Sequence, residues 1–110
     1  MPGRSLALDH GLAERRSLAY HDEISVRIAA DPKLLARARS RVDAWLRSGA
    51  VDRFYAEAWR DLLACPEAEI QRMLHEDSER MRALRQVSPF AGALQPRDRW
   101  RIWRAVHREA

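Results

Sequence analysis

Cysteine occurs once in the 110 residues, at Cys65, so no intramolecular disulfide can form. That excludes a small secreted fold held by bridges and fits a reducing compartment. Glycine is scarce, with four residues, and leaves little material for a phosphate-cradling loop. There is no Walker-type loop, no dinucleotide fingerprint and no nucleophile-elbow motif. No apolar run approaches the roughly 20 residues that a membrane-spanning helix needs. The opening MPGRSLALDH has no long apolar core, which predicts no secretion signal. The chain is accordingly expected in the cytoplasm, away from any membrane. Strand signals are also missing: nothing alternates apolar and polar residues over several positions, and β-branched residues are few. Lysine is nearly absent, Lys33 being the exception among twenty basic residues. Codon usage in a GC-rich genome accounts for arginine in place of lysine, but not for where the arginines fall.

They fall toward the carboxyl end. From Arg80 to Ala110 there are eight Arg and two acids, whereas the chain before Arg80 is slightly acidic. Phe90, Trp100 and Trp103 punctuate the basic segment. Guanidinium groups beside aromatic rings suit phosphate groups or an acidic protein surface.

The apolar spacing predicts an all-α, single-domain fold of about six short helices, with hydrophobic residues at a normal globular 46%. Residues 1–11 are expected to form an N-terminal arm apart from the core, either a short extra helix or a mobile segment, because Gly3 and Gly11 weaken a helix there. The helical domain then covers 12–110. A first helix is predicted from about Leu12 to Ala30. Asp31 and Pro32 end it and open the second, whose stripe is Leu34, Leu35, Ala38, Val42, Trp45 and Leu46. Gly49 closes that helix. Asp52 caps a third, with Phe54, Tyr55, Ala58, Trp59, Leu62 and Leu63. Pro66 starts a fourth, with Ile70, Met73 and Leu74 on its buried side. Asp77 or Ser78 caps a fifth, carrying Met81, Leu84 and Val87. The segment 88–92 reads as a loop, and Pro96 opens a last helix with Trp100, Ile102, Trp103 and Val106.

Two patterns suggest binding. Residues 66–87 have the apolar spacing of a degenerate helix-turn-helix, with Ser78 to Gln86 as the recognition helix. Arg80, Arg82, Arg85 and Gln86 would then carry chemistry suited to base edges. Gln71, His75 and Glu76 depart from the motif, and the acidic stretch from Asp52 to Glu79 opposes phosphates. The competing reading is two consecutive amphipathic helices. The second pattern is the basic last helix, where Arg97, Arg99, Arg101, Arg104 and Arg108 surround Trp100 and Trp103. It could track phosphates or dock an acidic protein with Arg and Trp as hot spots. The plain alternative is a terminal helix whose indoles pack inward and whose arginines lie along the surface.

Chemistry beyond binding is not indicated. His10, His21, His75 and His107 form no i, i+4 ligand pair and no Cys–His cluster, so no metal is expected. His21 beside Asp22 and Glu23 reads as a solvated face, and Cys65 near Glu67 and Glu69 as a small packing residue. No cofactor and no enzymatic activity are expected.

The stretches RSLALDH, RRSLAYHDEI, LLARARSRVDAWL, ALRQVSPFAG and RDRWRIWR together resemble small all-helical bacterial proteins that act as antitoxins in toxin–antitoxin operons. The likeness is carried by Arg82, Arg85, Gln86, Ser88, Pro89, Phe90 and Gly92, then by Arg97, Trp100 and Trp103. It implies neutralisation of a cognate toxin by direct binding, with operon DNA as a second target. The disordered C-terminal toxin-binding tail usual in such proteins is not evident, because this C-terminus reads as helix. The expectation is therefore a non-enzymatic protein-binding module. Arg80, Arg82, Arg85, Arg97, Arg101 and Arg104 would meet the partner, with Phe90 and Trp100 as anchors. The alternative is a helix-turn-helix DNA-binding regulator, and an apolar face left over from the core would also allow a homodimer.

Overall fold

Proline, glycine and short capping side chains set the ends of the helices, and apolar spacing sets their buried faces. The computed structural model describes the backbone of residues 2–109 and the side chains of 11–108. Six helices follow in order: α1 (Pro2–Ile28), α2 (Lys33–Ser48), α3 (Arg53–Leu63), α4 (Glu67–Leu74), α5 (Glu79–Gln86) and α6 (Pro96–Glu109). No strand occurs among the described residues, so the all-α expectation holds.

The caps follow the sequence closely. Gly49 takes φ +72°, the left-handed conformation that ends α2, and its N–H donates to the Trp45 carbonyl. The Asp52 carboxylate accepts from the Phe54 N–H at 2.8 Å, and the Ser78 hydroxyl from the Met81 N–H at 3.2 Å. Pro32 and Pro66 stand one position outside α2 and α4 rather than inside them. Asp31 still accepts from the Lys33 N–H, at 3.1 Å.

α1 departs from expectation at its start, which lies at Pro2 and not near Leu12. Proline suits a first helical position, and each glycine costs a helix only about 1 kcal/mol relative to alanine. What the side chains of residues 1–10 contact lies outside the described residues, and with it the expectation of a separate arm.

The long α1 is the spine of the fold. α4, α5 and α6 pack along it, while α2 and α3, joined by residues 49–52, pack against each other as a helical hairpin. Ile24 and Ile28 from α1 meet Leu34, Leu35, Ala38 and Val42 of α2, Trp59, Leu62 and Leu63 of α3, Ile70 and Leu74 of α4, and Met81 and Leu84 of α5 in one core. Phe90 and Leu94, from the α5–α6 connection, complete it. Burying side chains of this size contributes about 1.5–3 kcal/mol each.

Two helix ends are finished by arginine. Arg39 of α2 donates through Nε and Nη2 to the Leu63 carbonyl at the end of α3, at 3.1 and 2.9 Å. Arg85 of α5 donates through Nη1 to the Leu74 and Glu76 carbonyls at the end of α4, at 3.3 and 2.8 Å. The last carbonyls of a helix have no partner within it, and a guanidinium fork supplies one.

Candidate interaction surface on the last helix

α6 turns Val106 and Ile102 toward the core. At 3.6 residues per turn, Arg97, Arg101, Arg104 and Arg108 fall on the opposite side. With Trp100 they line a shallow hollow of about 400 Å³. Trp100 is 56% exposed and its ring stacks on Trp103, with centroids 4.9 Å apart and planes 8° from parallel. Trp103 in turn stacks on His107 at 3.8 Å. The aromatic column is thus braced along the helix, and its outer ring faces solvent.

The arginines of this face are not equivalent. Arg101 Nη2 lies 3.1 Å from Glu23 Oε1 and 3.4 Å from Asp98 Oδ1. Arg27 Nη2 reaches the same two acids, at 3.0 and 3.3 Å, so four charges tie α1 to α6. The hydrogen bond that Arg27 donates to Glu23, with Asp98 nearby, holds the Arg27 guanidinium above its usual pKa. Arg97, Arg104 and Arg108 make no ion pair or side-chain hydrogen bond among the described residues.

The other residues expected at a binding surface lie elsewhere. Phe90 is 1% exposed and meets Trp59 edge to face at 6.0 Å, so it is a core ring and not a surface anchor. Arg85 is 4% exposed, and its Nη1 holds the end of α4. Burial lowers its pKa, and Asp77 and Asp22 oppose that shift. Neither residue can dock a protein partner as first expected, because the packing of α5 and its following loop has already buried both. Arg82 is exposed but its Nε donates to Asp77 Oδ1 at 3.0 Å, a bond that raises its pKa. Arg80 lines a hollow between α3 and α5 together with Phe54, which is 71% exposed. Gln86 borders a separate cleft beside α1.

This placement weakens the recognition-helix reading. α5 has eight residues, buries Met81, Leu84 and Arg85, and packs on α1, α3 and α4. Gln71, at a position where the motif wants a small residue, donates to the Ser25 carbonyl of α1 at 2.9 Å.

The sequence pattern missed the latch between α1 and the loop after α5. His21, 2% exposed, donates from Nδ1 to the Ser17 carbonyl at 2.7 Å, since a carbonyl can only accept. Its Nε2 therefore accepts from the Ser88 hydroxyl, also at 2.7 Å. Ser88 Oγ accepts in turn from the Phe90 N–H at 3.1 Å. The Tyr20 hydroxyl donates to the Phe90 carbonyl at 2.8 Å and accepts from the Leu94 N–H at 3.3 Å. Burial drives the His21 pKa down to about 4, outweighing the hydrogen bond to Ser17. Tyr20 and His21 come from RRSLAYHDEI, and Ser88 and Phe90 from ALRQVSPFAG. These two stretches, far apart in the chain, therefore meet in space as a structural joint.

Among the described residues no group of three or more His, Cys, Asp or Glu side chains converges as metal ligands would, and no helix is long and apolar enough to cross a membrane. Comparison of the chain with family models, with curated proteins and with solved structures finds no match.

Proposed function

We propose that this chain is a cytoplasmic, non-enzymatic binding module that neutralises a partner protein, in the manner of the antitoxins its sequence resembles. The outer face of α6 docks on an acidic surface of the partner. The observation that carries this reading is Trp100, held half out of the protein by its stack on Trp103 and flanked by Arg97, Arg104 and Arg108, which have no ion-pair or side-chain hydrogen-bond partner among the described residues. Trp and Arg are the residues that most often dominate protein interfaces, because each combines a large contact area with a directed polar group. The surface is a rigid helix face, so docking orders few side chains.

The test is co-expression with the product of the adjacent gene. Wild-type protein should co-purify with it and restore growth. Arg97→Glu with Arg104→Glu should abolish both while leaving the helical circular dichroism and its melting unchanged. Capture of the partner by the charge-reversed protein as by wild type would refute docking through α6. Binding to promoter DNA that weakens in Arg82→Ala and falls with salt would favour the regulator reading in its place.

A further inference from the structure

A second concave feature lies on the other side of α6, between α1, α5 and the 88–92 loop. It has a volume of about 440 Å³, within the size range of small-molecule sites. Tyr20 from α1 and Ile102 and Trp103 from α6 supply apolar wall. Among the described residues its charged lining is entirely arginine: Arg16 from α1, Arg85 from α5 and Arg99 from α6. No carboxylate lines it among the described residues; Glu14 borders only a smaller adjoining hollow, of about 280 Å³, together with Arg82. The buried imidazole in the lining, His21, is neutral near pH 7.

The arginines are short of partners. Arg16 and Arg99 make no ion pair or side-chain hydrogen bond among the described residues. Arg85 is buried, yet only its Nη1 donates, to the two carbonyls at the end of α4. Its Nε and Nη2 donors have no protein acceptor among the described residues. Asp77, Asp22 and Glu76 lie near enough to favour its charge, but none lines the cleft. Three arginines from three helices thus line one concavity, with guanidinium donors to spare among the described residues. A guanidinium fork matches the oxygens of a phosphoryl group, and a buried, fixed fork binds it without further ordering. The neighbouring indole and phenol rings suit a flat apolar body attached to that group.

We propose that this cleft binds a small organic phosphate with a planar ring, of the mononucleotide type, the phosphoryl group seated among Arg16, Arg85 and Arg99 and the ring against Tyr20 and the edge of Trp103, whose faces are taken by Trp100 and His107. The cleft shares Trp103 with the aromatic column of α6 but none of the outer-face arginines, and ligand binding in it does not require partner docking.

Isothermal titration of the full chain with adenosine monophosphate tests the assignment. Saturable binding is expected, with adenosine giving none and inorganic phosphate binding more weakly than the nucleotide. Arg99→Gln and Arg16→Gln should each weaken adenosine monophosphate by about tenfold or more, the loss expected for one charged hydrogen-bonding partner. Neither residue has an ion-pair or side-chain hydrogen-bond partner among the described residues, so melting should stay unchanged. Arg104→Gln, on the outer face, should leave the affinity alone. No binding by wild type, equal binding of adenosine, or loss in Arg104→Gln with none in Arg16→Gln and Arg99→Gln would each overturn the assignment.

Discussion

The arginines of α5 and those on the outer face of α6 have the same chemistry and opposite fates. On α5, Arg85 is folded inward against the carbonyls that end α4, and Arg82 leans back onto Asp77. On α6, Arg97, Arg104 and Arg108 extend along a helix whose opposite side carries Val106 into the core. The difference comes from neighbours. α5 is short and enclosed by α1, α3 and α4, so a charged side chain there must find polar groups within the chain. α6 packs mainly on α1, and most of its circumference remains in water. Arg85 and Arg82 of α5 bond within the fold, whereas Arg97, Arg104 and Arg108 of α6 are presented to solvent. The indoles repeat the contrast: Trp59 is enclosed, with its Nε1 donating to the Leu84 carbonyl at 3.1 Å, while Trp100 is half exposed.

The indoles give the largest expected difference. Trp59→Ala should cost about 3–5 kcal/mol, through lost burial and the cavity left beside Phe90. Trp100→Ala should shift stability by no more than about 1 kcal/mol while removing partner capture. Urea unfolding of both variants measures this. Similar losses would mean that the column on α6 is a structural element after all.

Acid should separate the inward region from the outward one nearly as strongly. The His21 pKa is lowered from 6.5 to about 4 in the folded chain. Between those values the unfolded chain holds the extra proton, so stability rises with pH across the window and is complete above it. The loss on descending through it is about 3 kcal/mol. Asp22, whose carboxyl is pushed up by burial, works in the other direction, because its folded form keeps a proton longer and regains some stability in acid. In His21→Asn the rise between pH 4 and 6.5 should flatten, whatever the variant's overall stability. A slope unchanged from wild type would show that another group titrates there.

Arg85 sharpens the comparison directly. Arg85→Met keeps the apolar stem but leaves two carbonyls without a donor, and should cost about 1–3 kcal/mol. Arg104→Gln should change stability by less than about 0.5 kcal/mol. Equal thermal shifts would erase the distinction between the helices.

These contrasts were only partly legible in the sequence. Helix number and most helix ends followed from Asp52, Ser78, Gly49, Pro32 and Pro66, because capping and backbone restriction act over a few residues. The inward stripe of α2 followed from spacing alone. Phe90 and Arg85 were misread because their surroundings come from far along the chain: Phe90 meets Trp59 and the Tyr20–His21 latch, and Arg85 meets the end of α4. An aromatic ring in a Pro/Gly loop looks like a surface anchor until a helix some seventy residues earlier is known to cover it. The one local hint was the absence of a glycine or asparagine after Leu74, which leaves the end of α4 in need of a donor from elsewhere.

Arg101 tests where the boundary between the two uses lies. It stands on the outward helix, yet it shares Glu23 and Asp98 with Arg27. Its side chain is largely in water, so Coulomb attraction is screened and ordering a long side chain offsets part of the gain. Arg101→Gln should therefore cost only about 0.2–1 kcal/mol at low salt. The cost should vanish near 1 M salt, where charges farther apart than about 3 Å no longer interact strongly. Partner capture should fall less than in Arg104→Gln, because Arg101 already has acids in its own chain to satisfy it. A larger loss of capture in Arg101→Gln than in Arg104→Gln would place the docking surface toward the α1–α6 seam, with Glu23 and Arg27 part of it.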